Sequence, residues 1–268
     1  MIEINSKNNI KIKDLIRLRD ESKFRNDKSL FYVEGERILN DTPKELINSI
    51  FVTKSKIKEY DYILSKVSND LIYSINDDVF DKIKDTKCSQ GIIGIVNYNT
   101  IKEISDELLH NSLNCLILDN INDPGNLGTI IRLAEATNIS FVVLCNNCCN
   151  LYNTKVIRAC MSSIFRVKIV LSNNISNDII KLKDSNYKIY SSVLDSNSKQ
   201  YNKVNFKNKS AIILGNEANG ICSELINISD EKIFIPMCGK IQSLNVAMAA
   251  TAICYEIMRQ NNYYETER

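Results

Sequence analysis

The 268 residues carry 34 Lys and Arg against 32 Asp and Glu, a formal charge of +2, with 44% hydrophobic and 25% charged side chains. That balance excludes a disordered or collagen-like chain and announces no nucleic-acid partner through a global field. Eight glycines and three prolines fall far below ordinary usage, and the single histidine, His110, argues against His-pair metal sites and against Ser-His catalysis that needs a second histidine.

The amino terminus, MIEINSKNNIKIKDLIRLRD, has no apolar core and does not read as a signal peptide. Residues 1–28 hold eight Lys and Arg, among them Lys11, Arg17 and Arg25, against five acids. Such a basic helix fits a phosphate backbone as well as it fits a solvated face. Periodicity and short apolar runs predict a helix over 11–25, a strand at 31–33, a helix over 36–48 and a strand at 50–52. A Lys-rich helix over 55–66, a strand at 71–73, a short helix after Asn76 and a strand over 92–96 follow. These elements make an α/β unit of about a hundred residues.

A polar stretch from Tyr98 to Asn114 separates this unit from a second alternating series, with the boundary placed at residue 105. Domains are therefore expected over 1–105 and 106–268. Strands are predicted at 115–118, 141–144, 187–193, 211–214 and 232–235, and helices near 127–137, 153–161, 176–183 and 244–260. Strands alternating with helices imply a mainly parallel sheet covered on both faces. No apolar run reaches the ~18 residues of a membrane span. Most of the nine cysteines sit inside apolar stretches, as small core residues of a cytoplasmic protein. Cys145, Cys148 and Cys149 cluster as C-x-x-C-C, but a second pair to complete a tetrahedral metal site is missing, so no metal is expected.

The scarce glycines and prolines are concentrated. Five of the eight glycines and two of the three prolines lie in Asp119–Gly128, Leu214–Gly220 and Ile235–Gly239, each directly after a predicted strand. Ligands bind outside the carboxyl ends of parallel strands, so three such loops are expected to converge on one pocket. The spacing of Gly215 and Gly220 superficially suggests a phosphate loop, yet Ile221-Cys222 stand where Lys and Ser/Thr belong, and no dinucleotide fingerprint is present. Nucleotide hydrolysis and hydride transfer are thereby disfavoured.

Together, DPGNLGTIIRLAEA, LGNEANGI and IPMCGKIQSLNVAMAATAICYEIMRQ resemble the three ordered motifs of the SpoU (TrmH) RNA methyltransferases of the SPOUT class. LYNTKVIRACMSSIF over 151–165 is also similar to the family, and the resemblance is close over 115–260. FYVEGERIL and TKCSQGIIGIV are more weakly similar to the L30e-like RNA-binding domain often fused in front. Two positions depart from the usual pattern: Ser89, where a proline commonly precedes Gln-Gly, and Ser162, where a glycine is usual.

The resemblance implies a carboxyl-terminal SPOUT domain with a mainly parallel sheet and a trefoil knot, behind a smaller L30e-like α/β domain. It implies methyl transfer from S-adenosylmethionine to a ribose 2′-hydroxyl of structured RNA, 23S ribosomal RNA first and transfer RNA second. Alternatives are base methylation, as in other SPOUT branches, and a non-catalytic RNA-binding protein. Arg132 is implied as the residue that activates the hydroxyl, by stabilising charge on the oxygen or by orienting a phosphate. Its guanidinium is too weakly acidic to serve well as a general base. Asn126, Glu217, Ser243 and Asn245 would orient Arg132, the ribose or the cofactor. Leu214, Gly215, Gly220, Ile235, Met237 and Leu244 would hold the cofactor. A homodimer is implied, with the last helix at the interface. On the residues alone, Asn126 or Ser243 could instead cap a helix, and Arg132 could pair with Glu135 or Glu217.

Overall fold

The computed structural model describes residues 1–207, 209–216, 219–241 and 243–262. The chain divides into two compact units, one formed by Met1–Asn99 with Tyr152–Phe165, the other by Thr100–Leu151 with Arg166–Arg268.

The first unit begins with β1 (Ile2–Ile4), α1 (Ile10–Asp20), α2 (Ser22–Lys28), β2 (Leu30–Glu34) and α3 (Glu36–Asp41). It continues with β3 (Ile47–Thr53), α4 (Asp61–Leu64), β4 (Ile72–Ile75), α5 (Asp77–Ile83) and β5 (Ile92–Asn97). Its sheet runs β1-β4-β3-β5-β2, with β1, β4 and β3 parallel and β5 antiparallel to both β3 and β2. Asn9 caps α1 by accepting the Lys11 N–H at 2.9 Å. The helix then buries Ile12, Leu15 and Leu18 at helical spacing against Phe51, Phe80 and Ile93.

Three expected helices change here. The helix expected over 11–25 is interrupted at Glu21, whose backbone is extended, and the buried Arg25 of α2 donates to the carbonyls of Leu18 and Arg19 at the end of α1. The helix expected over 36–48 stops at Asp41 because Pro43 lacks an N–H and holds Thr42 extended. Over 55–66 a 3₁₀ turn at Lys54–Lys56 and the single turn of α4 replace a continuous helix.

The second unit contains α6 (Asp106–His110), β6 (Asn114–Leu118), α7 (Pro124–Ala136) and β7 (Phe141–Cys145). After α8 (Thr154–Cys160), which belongs to the first unit, come β8 (Lys168–Ser172), α9 (Ile175–Asp184), β9 (Lys188–Ser192) and β10 (Lys199–Gln200). β11 (Ser210–Leu214), α10 (Ser223–Ile228), β12 (Glu231–Phe234) and α11 (Val246–Gln260) complete it. The seven strands are ordered β10-β12-β9-β11-β6-β7-β8, and each neighbouring pair is parallel. β6, β7 and β11 are buried at every position, as expected for central strands of a parallel sheet. Cys115, Ile117, Phe141, Val143, Ile189 and Ile213 lie in the core on one face. On the other face α7 packs against α11, which buries Val246, Ala247, Ala250, Ile253, Cys254 and Ile257.

The return segment of the first unit is anchored by aromatic packing. Tyr152 stacks on Tyr98 with ring centroids 3.8 Å apart and meets Phe31 at 4.5 Å. The Asn99 amide donates to the Ile164 carbonyl at 2.7 Å, and Arg158 is ion-paired with Asp85.

Candidate active site

Leu118 and Leu214 face each other in register at the carboxyl ends of β6 and β11, and Ser192 of β9 pairs with Ile233 of β12. Because these strands are parallel, the loops that follow them emerge at one edge of the sheet. Residues from two of the punctuated loops line a cavity of about 230 Å³ there. Its walls include Leu214, Gly215, Gly220, Ile235, Met237 and Leu244, together with Ser243 at the approach to α11. No charged side chain lines it among the described residues.

The loop after β11 folds back on itself. Asn216 and Gly220 exchange backbone hydrogen bonds at 2.8 and 3.1 Å, and Gly220 has φ of +68°. A Cβ on Gly215 would stand 2.3 Å from the Gly220 carbonyl carbon and 2.5 Å from the Ile221 nitrogen. Glycine is therefore required at 215 by the approach of one backbone to another. The backbone groups of Gly215, Ile235 and Leu244 take part in no hydrogen bond among the described residues, leaving donors and acceptors at the cavity wall.

The loop after β6 enters α7 through Asp123, whose side chain accepts the Asn126 N–H at 2.8 Å, with Pro124 in the first turn. Asp123 is thus the cap of α7, not Asn126, and Asn245 is the cap of α11, not Ser243. Asn245 accepts the Ala247 and Met248 N–H groups through Oδ1, while its Nδ2 donates to Asn126 Oδ1 at 3.0 Å. This bond joins the first motif to the third.

Arg132 stands on the exposed side of α7, in line with Gly125 and Thr129, and is not part of the cavity wall. Its side chain makes no hydrogen bond or ion pair among the described residues. Glu135 is engaged by Arg166 at 3.1 Å. Glu217, the other partner considered for Arg132, lies outside the described residues.

Ser192, Val193 and Leu194 also line the cavity. The loop they begin carries no glycine or proline, so punctuation gives no sign of it; the signal lies in the strand order, which sets β9 beside β11. The cysteine cluster has a structural use. Cys148 Sγ accepts the Ile121 N–H at 3.3 Å and donates to the Leu118 carbonyl at 3.2 Å, holding the start of the first motif loop. Burial pushes its thiol up to about 11. Among the described residues no group of His, Cys, Asp or Glu is arranged to hold a metal ion, and no helix is long and apolar enough to cross a membrane.

Residues 114–255 match the model of the SpoU rRNA Methylase family, and residues 9–94 match an MRM3-like substrate binding domain. The chain is 29% identical over 258 residues to the 23S rRNA (guanosine(2553)-2′-O)-methyltransferase RlmP of Bacillus subtilis, covering 96% of this chain and 99% of that protein. It is 33% identical over 229 residues to an uncharacterized tRNA/rRNA methyltransferase of Borreliella burgdorferi, covering 81% of this chain and 99% of the relative. The crystal structure of an AdoMet-bound rRNA methyltransferase from Sinorhizobium meliloti superposes with a TM-score of 0.83 at 25% identity, covering 96% and 97% of the two chains. With three motifs gathered at one sheet edge and a family model spanning more than half its length, this chain belongs to the SpoU rRNA methylase family.

Proposed function

We propose that the protein transfers a methyl group from S-adenosylmethionine to a ribose 2′-hydroxyl of 23S ribosomal RNA. The observation that carries this reading is the cavity at the carboxyl edge of the large sheet, lined by Leu214, Gly215, Gly220, Ile235, Met237 and Leu244. Its chemistry suits the cofactor. Apolar side chains offer contact to a flat ring, and the unengaged backbone groups of Gly215, Ile235 and Leu244 offer hydrogen bonds to polar edges. When bound, S-adenosylmethionine supplies the electrophilic methyl group. The protein's own part is to position the hydroxyl for in-line attack and to stabilise charge that develops on its oxygen.

Arg132 takes the second role, by facing the 2′-oxygen or a neighbouring phosphate. Asn126, held by Asn245, orients the ribose or the Arg132 side chain, and Ser243 and Glu217 complete the polar set. The exposed position of Arg132 fits a homodimer in which the arginine of one protomer serves the cavity of its partner. The last helix supplies the surface for it: Met248 and Tyr255 on α11 are 63% and 47% exposed. RNA binding is assigned to the unit of Met1–Asn99 with Tyr152–Phe165 and methyl transfer to the unit of Thr100–Leu151 with Arg166–Arg268, in place of a single boundary at residue 105, in the cytoplasm, with the carboxyl-terminal loops in a trefoil knot.

Methylation of total RNA with labelled cofactor, followed by nucleoside mass spectrometry and mapping, tests the reading. A 2′-O-methylated nucleoside in 23S RNA is the expected product. A methylated base, a transfer RNA product, or no transfer despite cofactor binding would each overturn a stated part of it.

A further inference from the structure

We infer that Asp119 is a positioning residue that holds the cofactor loop in its binding shape. The inference rests on the proposed cofactor pocket. Asp119 follows the last residue of β6 and is only 2% exposed, yet no Lys or Arg is ion-paired with it among the described residues. A buried carboxylate is costly unless hydrogen bonds replace its water. Here they come from two other loops. Oδ1 accepts the Asn147 amide at 2.9 Å, and Oδ2 accepts the Cys222 backbone N–H at 2.9 Å.

The same residue's backbone N–H donates to the Leu214 carbonyl at 2.9 Å. Leu214 and Cys222 bracket the loop that carries Gly215, Asn216 and Gly220 into the cavity wall. Asp119 therefore grips both ends of that loop, its backbone at the entrance and its carboxylate at the exit. The next residue adds a third hold. The Asn120 carbonyl accepts the Asn216 amide at 3.1 Å, while the Asn120 N–H donates to Asn147 Oδ1 at 3.0 Å. The backbone crossing at Gly215 leaves little slack, so releasing the exit at Cys222 lets Gly220 drift from Gly215 and opens the wall.

The hydrogen-bond directions distinguish this role from a need for negative charge at 119. In Asp119→Asn, one amide oxygen can accept from either Cys222 or Asn147, and the new NH2 faces the remaining donor. Exchanging the pair, Asp119→Asn with Asn147→Asp, restores every bond. Asn at 119 then accepts from Cys222 and donates to the carboxylate at 147, whose other oxygen accepts from Asn120.

The test measures the S-adenosylmethionine affinity of the full chain by calorimetry, with circular dichroism and thermal melting to verify folding. Asp119→Asn is expected to weaken binding by about tenfold or more, the scale of one charge-assisted hydrogen bond. In turnover the KM for the cofactor should rise more than kcat falls. The exchanged double variant should recover to within about threefold of the parent. Should Asp119→Asn fail to fold, Asn147→Ala, at an exposed turn position, is expected to weaken binding several-fold in a folded protein. Parental affinity in folded Asp119→Asn or, in that fallback, in Asn147→Ala overturns the inference, as does a folded double variant that stays as weak as the single. Failure of the parent itself to bind the cofactor would instead refute the proposed function.

Discussion

Asn245 uses its two amide atoms for separate purposes: the oxygen caps α11, and the nitrogen reaches Asn126 on α7, 119 residues earlier in the chain. Asn245→Ser keeps the cap, since a hydroxyl caps about as well as an amide, but is too short to reach Asn126. Thermal stability should change little while methyl transfer falls by at least about tenfold, the effect of losing an interaction worth more than ~1.4 kcal/mol in the transition state. Asn245→Ala should lower both, with about 1 kcal/mol of stability lost through the cap. Denaturant unfolding alongside turnover separates the two.

Gly215→Ala introduces a methyl group into the Gly220 backbone. Gly215 directly follows β11, which is fixed in the ladder with β6, and Gly220 is tied to Asn216 by two backbone hydrogen bonds, so the clash is expected to cost about 1–3 kcal/mol and to abolish cofactor binding. Gly220→Ala meets no atom within 4 Å but forces a side chain into positive φ, so its milder defect should appear in stability before affinity. Calorimetric titration of both variants gives the order.

Arg132→Ala should eliminate methyl transfer while leaving cofactor affinity within about twofold of the parent, because Arg132 is not part of the cavity wall. If one protomer's arginine serves its partner's cavity, mixing Arg132→Ala with Gly215→Ala subunits should recover activity that neither variant has alone. Absence of recovery from verified mixed dimers would mean that each arginine serves its own protomer.

Burial raises the thiols of Cys160 and Cys254 to about 12, against an ordinary value of 9. A group raised in the folded state contributes stability that is fully present below its unfolded value and is lost as pH rises through the folded one. The denaturation midpoint should therefore fall as pH increases from 9 towards 12. At neutral pH a thiol reagent should modify the exposed Cys88, Cys222 and Cys238 and spare the buried Cys115, Cys145, Cys160 and Cys254 until the protein unfolds.

The amino-acid sequence makes the large sheet legible because its central strands are buried on both faces and read as unbroken apolar runs. β8 and α10 are missed for the opposite reason: Ile169–Leu171 is short, and only Leu225 of α10 is fully buried. Pro43 is visible in the sequence and ends α3, a stop that the apolar spacing over 36–48 overrides in a reading by pattern alone. The concentration of scarce glycines picks out 215 and 220 as positions with special backbone needs, which the structure specifies as close approach at the first and positive φ at the second. It overstates the need at 239, where an added Cβ would meet nothing within 4 Å and φ is not positive. The bond between Asn245 and Asn126, and the gathering of Asp119, Asn147 and Cys222, depend on loops brought together by strand order, and no local pattern encodes that.

The amino-terminal unit closes only when Tyr152 and Phe165 return to cover Phe31 and Tyr98. A fragment cut at residue 105 would bare that aromatic face to water and lose the partner of Asn99 at Ile164. This half of the protein is therefore not a cassette that can be excised or exchanged at a single joint. A transplant that preserves its core must carry the distant segment 152–165 with it, which ties the inheritance of the small unit to that of the large one.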